Sequence, residues 1–179
     1  MPRQQAPLST EYILLGFLNR RSIHGYDLYK TLCESPEIST IWTVKQSYLY
    51  ALLEKLEELG LLVSVQVSGE PRPNRKEYSL TSVGRQTFDA WMRSPVDHSR
   101  DMRQEFLAKL FFAYQDDPMT ARELLEEQRS LCVEWLESAQ ISLANLNTGH
   151  SFEVSVLRFR LFQNEAMIAW LDDCLQELP

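Results

Sequence analysis

Two stretches decide how this chain is read: Ser47-Tyr48-Leu49-Tyr50-Ala51-Leu52-Leu53-Glu54-Lys55-Leu56-Glu57-Glu58-Leu59-Gly60-Leu61-Leu62 and, further on, Asn74-Arg75-Lys76-Glu77-Tyr78-Ser79-Leu80-Thr81. In the first, Leu49, Leu52, Leu53, Leu56 and Leu59 recur at helical spacing until a glycine stops the pattern and a strand begins. The second is a basic loop that enters another strand and ends in a helix cap. A helix followed by a two-stranded ribbon with a positively charged tip is the DNA-reading half of a winged helix-turn-helix. No other part of the sequence supplies a chemistry.

Opposite the leucines, the helix over 45–59 carries Ser47, Tyr48, Ala51, Glu54, Lys55 and Glu58. Its N-terminal half is small or hydrogen-bonding and is entered through Lys45 and Gln46; its C-terminal half is acidic. That polarity suits a helix inserted N-terminus first into the major groove, where Gln46 bonds adenine and Ala51 touches a thymine methyl. Arg72, Asn74, Arg75 and Lys76 place three cations within five residues at the ribbon tip, suited to a phosphate backbone. The expected DNA contacts are therefore Lys45, Gln46, Ser47, Tyr48, Tyr50, Ala51, Lys55, Arg72, Asn74, Arg75 and Lys76.

Working outward, helices are expected from Ser9 to Asn19 and from His24 to Glu34, joined by a connection over Pro36 to Thr43. Leu61 to Val67 reads as a strand. Gly69 to Asn74 is not expected to continue it, because Pro71 and Pro73 lack the ladder N–H. Lys76 to Leu80 is the return strand, and Thr81 caps a helix to about Arg93. Ser94-Pro95 marks a boundary between a DNA-binding domain, 1–93, and a helical domain, 94–179.

Beyond the boundary, Asp101 to Tyr114 reads as helical. Thr120 and Glu123 form a capping box for a helix to Leu146. Thr148-Gly149-His150 breaks it, and Ser151 caps a final helix. There Val154, Leu157, Leu161, Ile168, Leu171, Leu175 and Leu178 fall on heptad positions interrupted by Asn164. Phe152, Phe159, Phe162, Ala166 and Trp170 lie on the other side. A helix apolar on two faces needs two partners: the 121–146 helix, and a second subunit. Val154, Leu157, Leu161, Asn164, Ile168, Leu171 and Leu175 are the expected dimer seam.

The fold class is thus mainly α with a small two-stranded β-wing: a winged helix-turn-helix plus a long C-terminal α-helical dimerisation domain. The net charge of −7 divides unevenly. Residues 1–93 hold 11 Lys/Arg against 10 Asp/Glu, a balance of +1; residues 94–179 hold 7 against 15, a balance of −8. The acidic half is expected to face away from DNA. Cys33, Cys132 and Cys174 are odd in number and widely spaced, which argues against a disulfide framework or zinc site and for a reducing compartment. The seven-residue apolar run Tyr12 to Leu18 is too short to span a bilayer, so a cytoplasmic location is expected. His24, His98 and His150 lack ligand spacing, and no nucleophile has a nearby base. No metal, cofactor or catalytic residue is therefore expected.

Leu15-Gly16-Phe17-Leu18, His24-Gly25-Tyr26-Asp27-Leu28, Ser47-Tyr48-Leu49-Tyr50, Leu53 to Leu61 and Arg75 to Arg85 together resemble the PadR-type transcriptional regulators in order and spacing across residues 8–93. The resemblance continues through Arg103 and Glu105-Phe106-Leu107-Ala108-Lys109-Leu110-Phe111-Phe112. It implies a homodimeric repressor joined through its C-terminal helices, bound to a pseudo-palindromic operator and responsive to a small molecule. Trp91, Trp135 and Trp170 are candidates to line an aromatic effector pocket. The chain departs from the family at Pro73-Asn74, where a run of arginines is common, and at Lys45-Gln46-Ser47, where Gly or Pro is common. The rival reading is a winged helix serving as a protein-interaction module, supported by the acidic total and by Glu54 and Glu58.

Overall fold

The computed structural model describes residues 9–69, 72–146 and 152–178. Its elements run α1 (Ser9–Asn19), β1 (Ile23–His24), α2 (Gly25–Glu34), α3 (Pro36–Ser39), α4 (Gln46–Glu58), β2 (Leu62–Gly69), β3 (Arg72–Leu80), α5 (Ser82–Arg93), a 3₁₀ turn (Ser99–Arg103), α6 (Glu105–Asp116), α7 (Pro118–Ala144) and α8 (Phe152–Glu177). They pack as two compact units, one of residues 1–92 with 103–112, the other of 93–102 with 113–179.

In the first unit α1 is the central helix. Ile13, Leu14, Leu15 and Leu18 are buried, as are Leu28 of α2, Leu49, Leu53 and Leu56 of α4, and Phe88 of α5. Phe112 joins the same core, its ring edge-on to both Phe17 and Phe88. Tyr12 stacks flat on Trp91, whose indole N–H donates to Glu105. Trp91 is thus a packed core residue.

The sheet has three strands in the order β1-β3-β2, one more than the expected pair. Ile23 and His24 pair with Tyr78 and Glu77. Two residues are too few for any alternation to show in sequence. β3 also begins earlier than expected, at Arg72, and so runs through Pro73. The register slips between Val67 and Gly69, which oppose Arg75 and Arg72. A bulge of this kind accommodates a proline that cannot donate to the ladder.

The join between α4 and β2 fixes their geometry. Gly60 has φ +70°, the left-handed conformation that ends helices and favours glycine. The Gly60 N–H donates to Glu57 O and the Leu61 N–H to Leu56 O, both at 3.0 Å, which is the Schellman closure. Thr81 Oγ1 donates to Gly60 O at 2.8 Å and accepts from the Gly84 N–H at 3.0 Å, so it caps α5 while holding the turn. A Cβ on Gly84 would come within 2.0 Å of Leu61 O, so no other residue fits there without moving backbone.

In the second unit α7 and α8, of 27 and 26 residues, are each about 40 Å long and pack against one another. α7 starts earlier than the expected Thr120–Glu123 capping box. Its N-cap is Asp117, whose carboxylate accepts from Met119 N–H at 2.7 Å and Thr120 N–H at 3.0 Å, with Pro118 following at the first helical position. Asp117 stands three residues before Thr120, and its Oδ1 accepts from both N–H groups. The expected breaker Thr148-Gly149-His150 and cap Ser151 lie outside the described residues.

Candidate nucleic-acid interface

Burial of Leu49, Leu52, Leu53 and Leu56 turns the opposite face of α4 outward. Lys45, Gln46, Ser47, Tyr48 and Ala51 are all exposed on it. Lys45 is the N-cap residue and makes no side-chain cap, and the first turn holds no acid. The first-turn N–H groups and the positive end of the helix dipole therefore carry no internal countercharge. Tyr50 is half-buried.

Two of the expected cations are engaged within the chain. Lys55 Nζ lies 2.6 Å from Glu11 Oε1, a carboxylate buried on α1, and this hydrogen bond holds the ammonium pKa above its ordinary value. Lys55 thus ties α4 to α1. Lys76 Nζ lies 3.4 Å from Glu57 Oε2, and the other oxygen of Glu57 accepts from the Ser64 hydroxyl. The Ser64 hydrogen bond foremost, and Lys76 with it, hold the Glu57 carboxyl below the usual range. No sequence signal links Glu11 to Lys55 or Glu57 to Lys76, which are 44 and 19 positions apart.

Arg75 is exposed and forms no ion pair with the described residues. Arg72 and Asn74 belong to β3, but their side chains lie outside the described ones. A hollow of about 540 Å³ is lined in part by His24, Tyr26, Tyr50, Glu54, Arg75 and Lys76. It brings α2, α4 and the wing onto one surface, and Tyr26, more than half exposed, is not among the expected DNA contacts. That surface combines the Arg75 guanidinium with the Tyr26 and Tyr50 rings, and guanidinium and phenol groups bond phosphates and base edges.

Residues 14–90, which hold α4 and the wing, match the model of the transcriptional regulator PadR-like family. The winged-helix part of the chain is thus similar to that family. Residues 102–179 match a second model, the virulence activator alpha C-terminal domain. A curated relative, the negative transcriptional regulator PadR of Bacillus subtilis (strain 168), is 26% identical over 136 residues, covering 76% of this chain and 70% of its own. The crystal structure of Bacillus subtilis PadR with operator DNA is 24% identical, covering 96% of this chain and all of the other, at a TM-score of 0.46. Bacillus subtilis PadR with p-coumaric acid is 24% identical over 96% of this chain and 99% of the other, at a TM-score of 0.45.

In this PadR-like chain the residues expected to form the dimer seam lie mostly toward α7. Leu157, Asn164 and Leu171 are buried, and Val154, Leu161, Ile168 and Leu175 are half-buried. Arg129 of α7 grips Asp172 of α8 with a two-pronged ion pair. The phenylalanines opposite are open: Phe152, Phe159 and Phe162 are 85, 66 and 70% exposed. Among the described residues no helix is long and apolar enough to cross a membrane, and no group of His, Cys, Asp and Glu is placed to hold a metal.

Proposed function

We propose that this chain is a sequence-specific DNA-binding regulator that acts as a homodimeric repressor and responds to a small-molecule effector. One observation carries the DNA-binding part: α4, whose Lys45-Gln46-Ser47-Tyr48 entry is exposed, shares a hollow with the wing through Tyr50, Glu54 and Arg75, and Arg75 forms no ion pair with the described residues. The likeness of residues 14–90 to the PadR-like regulators supports the regulatory class, and the similar Bacillus subtilis protein, a negative transcriptional regulator, supports repression. In this reading Gln46 and Ala51 read base edges while Arg75 holds phosphate. Lys76 joins Arg75 by exchanging Glu57 for a phosphate oxygen.

The homodimer supports two such surfaces, entering successive major grooves with half-sites about 34 Å or a multiple apart. Three exposed phenylalanines on one face of α8 favour that helix as the subunit contact, since a patch of this kind marks an interaction site. The two wings and helices act together, and the −8 balance of residues 94–179 keeps that half off the DNA.

Fluorescence anisotropy on DNA from upstream of the chain's own gene, at several salt concentrations, tests this function. Steep salt dependence with a large preference over random DNA is the expected result. No binding at low salt would favour the protein-interaction reading, to which the exposed Glu54 and Glu58 belong.

A further inference from the structure

We infer that Glu11 of α1 is a positioning residue for DNA recognition: it holds the Lys55 ammonium off the phosphate backbone. This rests on the DNA-binding part of the preceding reading, and Glu11 itself touches no DNA.

Lys55 stands where a phosphate contact would be expected. It follows Tyr48 and Ala51 along α4 at spacings of three and four, so the three share one stripe. All three are exposed, and about half of the Lys55 side chain is open to solvent. A lysine so placed is ordinarily a mobile, hydrated cation that any phosphate can recruit.

Glu11 removes that freedom. Its side chain is 3% exposed, and its Oε1 accepts from Lys55 Nζ at 2.6 Å. Among the described residues Lys55 is the one hydrogen-bond partner of that carboxylate. Glu11 also lies in the first turn of α1, where a helix favours negative charge. A phosphate that took Lys55 would therefore leave an uncompensated carboxylate inside the protein. One phosphate contact is worth about eightfold in affinity at 0.1 M salt. Stripping a buried carboxylate of its cation costs more than that, so Lys55 stays where it is.

Lys76 is the opposite case. Its partner Glu57 is half-buried and keeps the Ser64 hydroxyl when the lysine leaves. The wing lysine can thus be exchanged and the helix lysine cannot. With Lys55 pinned and the acids Glu54 and Glu58 exposed beside it, the C-terminal half of α4 offers DNA no sequence-blind attraction. Recognition along this stripe is left to Tyr48 and Ala51.

The test is fluorescence anisotropy of the full chain on a random-sequence duplex across a salt series. Wild type is compared with Glu11→Gln, Lys55→Met and the double variant, each checked by thermal melting. Glu11→Gln should steepen the logarithmic salt slope by about 0.9 and tighten binding about eightfold at 0.1 M salt. Lys55→Met costs stability but should leave the slope at its wild-type value, and the double variant should return to that value. A merely structural role for Glu11 would not produce this pattern, because loosening α4 weakens binding and removing Lys55 does not restore it.

The inference is overturned if Lys55→Met lowers the slope by about 0.9, since Lys55 is then already on a phosphate. It is equally overturned if Glu11→Gln leaves the slope unchanged. Where a single variant melts too early to assay, NMR of the wild-type ammonium groups on DNA decides, with Lys55 assigned through Lys55→Arg. The Lys55 Nζ signal should show no coupling to DNA phosphorus, and a coupling there would sink the idea. Absence of wild-type binding at low salt would defeat the DNA reading itself, whereas binding with the wrong slopes defeats only the role of Glu11.

Discussion

Helix α4 buries a row of leucines and turns a small polar face outward, whereas α8 buries one side toward α7 and turns three phenylalanines outward. Both have long apolar rows in sequence, but they differ in what the second face offers. On α4 that face is polar, so the helix has one way to pack and its outer residues are free for recognition. On α8 both faces are apolar, and burying either leaves the other in need of cover. The difference teaches that an amphipathic helix announces its function through its polar side, while a helix apolar on two faces announces only that it has two neighbours.

The comparison breaks most sharply at Leu171, which is fully buried on the α7 side. Leu171→Ala should destabilise the chain by about 2–5 kcal/mol, read from the denaturant midpoint; a change near zero would mean that this side of α8 is not the packed one. Paired Phe159→Ser and Phe162→Ser should leave each subunit folded and shift sedimentation from dimer to monomer. An intact dimer would remove the phenyl face from the proposed interface.

The α4 side is sharpened by two smaller changes. Gln46→Ala should cost about 1–3 kcal/mol on the preferred operator and relax the preference at one base pair. Equal losses on every sequence would argue against base reading. Arg75→Ala should weaken all sequences alike and lower the logarithmic salt slope by about 0.9, one phosphate contact; an unchanged slope would take Arg75 off the backbone.

The smallest effect is on pH. Asp172 is held below the usual carboxyl range chiefly by its hydrogen bond to Arg129, and Asp117 chiefly by its hydrogen bond with Thr120. A carboxyl with a lowered folded pKa stabilises the fold above its unfolded pKa, about 3.9 for Asp. That contribution is lost as pH falls through the lower folded value. Thermal melts should therefore decline on acidification below about pH 4, and Asp172→Asn should flatten part of the decline. An unchanged profile would show that the Arg129 pair adds nothing.

The winged helix was legible because its signals are local: the leucine spacing of 49–59, the glycine at 60, and the cap at Thr81. The third strand was not, because Ile23 and His24 make a pattern too short to see. The sequence also placed Lys55 among the outward cations. Its partner Glu11 is buried one helix away, and only the packing of α1 on α4 brings them together. The same holds for Glu57 and Lys76 across the strands. At α8 the heptad row includes the buried Leu157, Asn164 and Leu171, but periodicity does not say which neighbour receives the rest of it. Asp117 took the cap expected at Thr120 because a carboxylate ahead of a proline serves two N–H groups at once.

The turn at Gly60 has a further consequence. Gly60, Leu61, Thr81 and Gly84 knot the end of α4, the base of the hairpin and the start of α5 together. For an engineer α4 and the wing are one cartridge. New side chains at 46, 47 and 51 can be tried on a fixed mount, but a graft that moves α4 without its hairpin will misalign both.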